Sequence, residues 1–124
     1  MIGIIPPEDF LYKRIPPIHW HFQEDRVSSG AFKTSRLVLS VDWDQYSTPQ
    51  KTLEGYQGNG LIKIQAKFPR QKELAVLHRP IKDDPVEKDN PAHSHIEGAN
   101  LNKESTAKYL LENSILLEKV NKSL

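Results

Sequence analysis

A chain of 124 residues is long enough to bury one core and too short for several, so a single domain spanning 1–124 is expected. Its 37% apolar and 27% charged residues lie between a typical globular domain and a polar, partly irregular one, nine prolines point to long ordered connections or loose ends, and the lack of cysteine excludes disulfides, thiolate metal sites and cysteine nucleophiles. Seventeen basic against sixteen acidic residues leave a formal charge of +1, which excludes strong steering of the whole molecule toward nucleic acid or an acidic membrane.

The chain opens on MIGIIPPEDF, which has neither the basic start nor the sustained apolar stretch of a secretory signal. Nowhere do about 18 apolar residues run together, so a soluble cytoplasmic protein without a membrane partner is the expectation. Residues 1–9, with two adjacent prolines and no period, read as a flexible or strapped-on arm. The first strand is FLYKRI, Phe10 to Ile15, ended by Pro16 and Pro17, which have no amide proton to continue a ladder. In IHWHF, Ile18, Trp20 and Phe22 alternate with His19 and His21, so an extended chain would send both imidazoles to one face.

EDRVSSGAFKTSR is polar and contains Gly30; it reads as a loop whose Ala31 and Phe32 plug onto the core. RLVLSVDW, Arg36 to Trp43, is the strongest early strand, with Leu37, Leu39, Val41 and Trp43 on one face. A short helix follows in STPQKTLEGYQG: Ser47 or Thr48 can cap it, Pro49 suits the first helical position, and Gly55 or Gly58 can end it. LIKIQAKF, Leu61 to Phe68, alternates with Ile62, Ile64, Ala66 and Phe68 inward, and ELAVLHRPI puts Leu74, Val76 and His78 on one face. Only PRQK separates these two, which predicts an antiparallel hairpin between them.

KDDPVEKDNP makes a long acidic loop over 82–92, and HSHI after it reads as a short strand. From Asn102 as N-cap, a helix is expected to run to Val120, burying Ala107, Leu110, Leu111, Ser114, Leu117 and Val120. The resulting fold class is α+β: one small domain with a mostly antiparallel sheet, a short middle helix and a long C-terminal helix over one face. Closure into a small barrel is the alternative. The C-terminal helix is also the candidate surface for self-association or for a partner protein.

Two His-x-His pairs are the main chemical signal. His19, His21, His93 and His95 could surround one divalent transition metal such as Zn, with an oxygen from Glu97, because residues i and i+2 of a strand share a face. The same histidines could instead move protons at a phosphate ester while Arg14, Arg26, Lys33 or Arg79 offsets the phosphoryl charge. The candidate catalytic residues are His93, His95, Arg14 and Glu97. Arg26, Ser28 and Ser29 could also knot onto Asp42, and Asp42 or Asp44 could orient the His93 ring.

LYKRI, SSGAF and HIEG resemble, in their order of Arg14, Ser28 and Glu97, the arginine, serine and glutamate of ADP-ribosyltransferases, although adjacent Ser28 and Ser29 replace that family's serine-x-serine. Lys63, Lys67, Arg70 and Lys72 form a basic stretch of the kind that binds nucleic-acid phosphates, but Phe68 alternates inward and away from them, which disfavours nucleic acid as a partner. Across most of the chain, Arg14 to Pro17, RVSSGAF from Arg26 to Phe32, LSVD from Leu39 to Asp42 and NPAHSHI from Asn90 to Ile96 resemble a family of small uncharacterised bacterial proteins. That resemblance implies where the shared segments lie and no activity.

Overall fold

The computed structural model describes residues 3–121, so the first two residues of the expected arm lie outside the described residues. A six-stranded sheet runs in the order β6-β7-β4-β1-β5-β8, with every neighbouring pair antiparallel. Its strands are β1 (Phe10–Ile15), β4 (Val38–Trp43), β5 (Gly60–Gln65), β6 (Ala75–His78), β7 (His93–Glu97) and β8 (Ile115–Glu118). Between β1 and β4 a small separate ribbon pairs β2 (Trp20–His21) with β3 (Arg26–Val27). The helices are α1 (Pro49–Leu53), α2 (Lys67–Gln71) and α3 (Glu104–Glu112). The single α+β domain expected from the sequence is therefore present, and its sheet stays open rather than closing into a barrel, since β6 and β8 are its edges.

Alternation along the strands creates the core. Leu11 and Ile15 of β1, Leu39, Val41 and Trp43 of β4, and Ile62 and Ile64 of β5 are buried on one face. Over them lie Ala107 and Leu110 of α3, together with two 3-10 turns, Ser29–Phe32 and Ala99–Asn102, that contribute Ala31, Phe32 and Leu101. The arm is strapped on: Ile5 is in the core, the Gly3 amide donates to His78 Nδ1 at 2.9 Å, and Trp43 Nε1 donates to Asp9 Oδ2 at 2.9 Å. α1 begins as its sequence dictates, with the Thr48 hydroxyl accepting from the Lys51 amide, Pro49 in the first turn, and Gly55 leaving at a φ of 82°.

Four local expectations are corrected. PRQK does not turn a hairpin, because Lys67–Gln71 closes into α2 and β6 pairs with β7 instead, making 79–92 the long hairpin loop. IHWHF is extended only over Trp20–His21: Pro17–His19 forms a 3-10 turn that leaves Ile18 exposed. Leu37 does not share the inward face of β4, since it precedes the strand at a φ of 63° and is half-exposed. The C-terminal helix is the longest in the fold, yet it starts at Glu104 rather than after Asn102 and stops at Glu112. There Asn113 Nδ2 donates to the Tyr109 carbonyl and the Ser114 hydroxyl to that of Leu111, and the chain leaves as edge strand β8.

Candidate functional site

On the face of the sheet opposite α3, a cleft of about 600 Å³ opens between α1 and the 79–92 loop. Its floor comes from three adjacent strands, through Arg14 of β1, Ser40 and Asp42 of β4, and His93 of β7. Register brings them together: Tyr12 lies opposite Asp42, and Asp42 opposite His93, so these side chains share the uncovered face. Arg14 and His93, far apart in sequence and both catalytic candidates, thus line one cavity.

Asp42 fixes the walls to the floor. It is 5% exposed, and a carboxylate so placed requires donors. Thr52 Oγ1, from α1, donates to its Oδ2 at 2.9 Å, while Asn90 Nδ2, from the opposite wall, donates to Oδ1 at 2.9 Å. The Ser47 hydroxyl lies 2.9 Å from Thr52 Oγ1, whose proton is committed to Asp42, so the serine donates. At the rim, Lys88 meets Glu54 at 3.9 Å across the mouth, where both side chains are solvated and the pair contributes little energy.

The Arg14 guanidinium lies 3.9 Å from the centre of the Tyr56 ring and donates from Nη1 to the Thr52 carbonyl at 3.1 Å. Stacking and one hydrogen bond orient it while leaving its other donors uncommitted. Neither Arg14 nor Lys51 has a carboxylate partner within ion-pair distance among the described residues, whereas Asp42, Glu54 and Asp89 are engaged by protein groups. Among the described residues the cleft therefore offers two unpaired cations, Arg14 and Lys51, a buried and satisfied Asp42, and one unpaired carboxylate, Glu87.

His93 Nδ1 lies 3.0 Å from the Arg79 carbonyl, which can only accept, so this nitrogen carries a proton and Nε2 is left to exchange one. The expectation that Asp42 or Asp44 would orient this ring is corrected, because the Arg79 backbone does so. His95 stands edge-on to His93 with ring centres 5.0 Å apart; its Nδ1 is 3.0 Å from Glu97 Oε2, which is also 3.7 Å from Arg79 Nε. His95 and Glu97 thus continue a polar row along β7 beyond the cleft lining.

The remaining candidates lie elsewhere. His19 ends a 3-10 turn and His21 sits on the separate ribbon; among the described residues no group of three or more His, Asp or Glu side chains could hold a metal ion, so the two His-x-His pairs do not assemble one. His78, the fifth histidine, is tied up structurally: it accepts from Gly3 at Nδ1, and its Nε2 donates to the Pro91 carbonyl at 2.7 Å. Arg26 pairs with Glu24, the Ser28 hydroxyl accepts from Gly30, and Ser29 donates to Glu104, so the expected knot of these residues on Asp42 does not form. Ser28 caps the turn whose Ala31 and Phe32 enter the core, apart from Arg14 and Glu97. Of the basic stretch, Lys63 lies over Phe10, Lys67 pairs with Glu8, Arg70 donates to the Val76 carbonyl and Lys72 lies over Tyr109.

Sequence reasoning missed Lys51, Thr52, Tyr56 and Asn90 as parts of this cleft. One signal was available, since a carboxylate between Val41 and Trp43 on a central strand must find donors from nearby loops. No helix among the described residues is long and apolar enough to cross a membrane. No protein-family model, curated protein or solved structure matches the chain.

Proposed function

We propose that the cleft between α1 and the 79–92 loop binds a phosphate ester, with Arg14 and Lys51 as anion donors and His93 as the group that exchanges a proton with the bound ligand. The observation that carries this function is the meeting of Arg14 and His93 in one cavity where neither Arg14 nor Lys51 has a protein counter-ion among the described residues. A guanidinium held over the Tyr56 ring presents donors to phosphate oxygens, and an imidazole anchored through Nδ1 presents Nε2 as acceptor or donor. His95 and Glu97 would set the field around His93. A divalent metal has less support, because no ligand cluster lies in the cleft. The cytoplasm, where small phosphate esters are abundant, is the proposed location, and bacterial chains sharing the NPAHSHI segment are proposed to carry the same pocket.

Calorimetric titration with adenosine 5′-monophosphate and hydrolysis of bis(p-nitrophenyl) phosphate test the two halves separately. Arg14→Gln should weaken binding by about tenfold or more, the scale of one charge-assisted hydrogen bond. His93→Gln should bind within a few-fold of the parent and lose turnover. Equal binding by the parent and Arg14→Gln would refute the anion site, and full turnover by His93→Gln would refute its proton-transfer role.

A second, non-catalytic function is favoured by the edge strand β8, where Ile115, Leu116 and Leu117 are all at least 38% exposed. An apolar edge with unpaired backbone groups is a template for strand addition, and a second copy of the same edge is the proposed occupant. Light scattering should then show a dimer that Leu116→Lys converts to monomer; a monomeric parent at high concentration would contradict it.

A further inference from the structure

One hydroxyl on the floor of the cleft has no structural partner. Ser40 lies in the middle of β4, between buried Leu39 and Val41, and is exposed on the uncovered face, where it lines the cleft. Its hydroxyl makes no hydrogen bond among the described residues, whereas those of Ser47 and Thr52 in the same cleft are committed to the chain that ends on Asp42. The β4–β7 register sets Ser40 directly opposite His95. Side chains opposed in this way have Cβ atoms about 5 Å apart, so rotation of the serine about χ1 carries its oxygen toward the imidazole, a contact of the kind that tightens when substrate binds. His95 is prepared for it. The Glu97 carboxylate, whose Oε2 is 3.0 Å from Nδ1, accepts there, so Nδ1 carries the proton and Nε2 presents a lone pair. From β1, Arg14 lines the same cleft with donors to spare. A hydroxyl, an imidazole and a carboxylate thus follow one another from β4 to β7, in a cavity that also holds the guanidinium proposed to bind phosphate.

We propose that Ser40 is a nucleophile that takes the phosphoryl group of the bound ester, with His95 as its base and Glu97 as the residue that positions His95; the choice of substrate rests on the phosphate-ester reading of the cleft. As Ser40 Oγ attacks phosphorus, its proton passes to His95 Nε2, a new O–P bond forms, and the P–O bond to the alcohol breaks. The alcohol leaves with a proton from His93 Nε2. Water then attacks the phosphoserine and gives a proton back to His93, the Ser40 O–P bond breaks, and His95 returns its proton to Oγ. Ester and water become alcohol and phosphate, and both imidazoles end as they began. Arg14 faces the charge that gathers on the phosphoryl oxygens. The nucleophile and the leaving group each have their own histidine, which suits two imidazoles with ring centres 5.0 Å apart, each anchored through Nδ1.

Diisopropyl fluorophosphate tests the nucleophile without the anion site, because it is uncharged and transfers its phosphoryl group to an activated serine as fluoride leaves. Peptide mass spectrometry of the treated parent protein should place that group on Ser40, at least about a hundredfold faster than on the exposed Ser35 and Ser105, the scale of one general base, and the preference should vanish in urea. His95→Gln should lose most of that rate at an unchanged urea midpoint. Glu97→Ala should slow it as well and move the His95 ring ¹⁵N resonances toward a mixture of tautomers, which loss of packing alone would not do. An unlabelled Ser40, equal rates at the three serines, or full labelling of folded His95→Gln would overturn the proposal, and the first two need only the parent protein. Calorimetry with adenosine 5′-monophosphate keeps the two readings apart. Nucleotide bound with Ser40 unlabelled refutes the nucleophile alone, and Ser40 labelled in a protein that binds no nucleotide refutes the phosphate ester as its substrate.

Discussion

At Lys13 the physics of one residue can be read through pH. Its folded pKa, about 8, lies below the ordinary lysine value of 10.5, so between those values the unfolded chain binds more protons and stability rises with pH through this group. Below pH 8 the charged amine destabilises the fold by its full amount. Lys13→Met should accordingly raise stability in urea melts at pH 7 by about 1 kcal/mol, allowing for the solvated tip, with the gain shrinking as pH climbs from 8 toward 10.5. A gain unchanged across that range would assign the effect to packing instead. Gly98 makes a second test: at a φ of 150° only glycine is comfortable, and an added Cβ would lie 2.8 Å from Leu74 Cδ2. Gly98→Ala should cost about 1–3 kcal/mol, and a urea midpoint equal to the parent's would show that the loop relaxes freely. Thr52→Val keeps the shape but removes a donor from the buried Asp42, with an expected loss of about 1.5–3 kcal/mol.

Elements with strong local signals were legible in the sequence. The N-cap, proline and glycine of α1 lie within a few residues of one another, and the inward residues expected in β4 and β5 follow a period of two except at Leu37, Ala66 and Phe68, which lie outside those strands. Thr48→Ala should remove the α1 cap at a cost of about 1 kcal/mol and loosen Lys51 and Thr52 at the cleft, visible as faster amide exchange over 49–53. Exchange rates equal to the parent's would mean that packing alone holds the helix. What was not legible depended on distant partners. ILLE after Ser114 continues a helical seam as well as it makes a strand, and pairing with β5 decides between them. PRQK looked like a hairpin turn because the two flanking strands were visible and the true partner of β6, beyond a long loop, was not.

At the scale of the molecule, the open sheet separates a covered core face from the face that carries the cleft. One face is sealed by α3 and the 3-10 turns; the other carries α1 and the 79–92 hairpin loop, whose hydrogen bonds to Asp42 define the cleft. Half of the candidate site could be read from residue types: Arg14 and His93 were singled out, and they converge. The histidine pairs suggested a metal centre because spacing along a strand says which residues share a face and nothing about which strands are neighbours. His21 went to a separate ribbon, and the cleft was completed by Thr52, Tyr56 and Asn90, ordinary surface residues in one dimension. The central claim, that these residues form one phosphate-ester site, is tested most directly by a ¹H–¹⁵N NMR titration with adenosine 5′-monophosphate. Saturable shifts should concentrate on Arg14 Nε, the His93 ring nitrogens and the amides of Lys51, Thr52 and Asn90, and should disappear in Arg14→Gln. Shifts confined to other surfaces, or none at millimolar ligand, would contradict it.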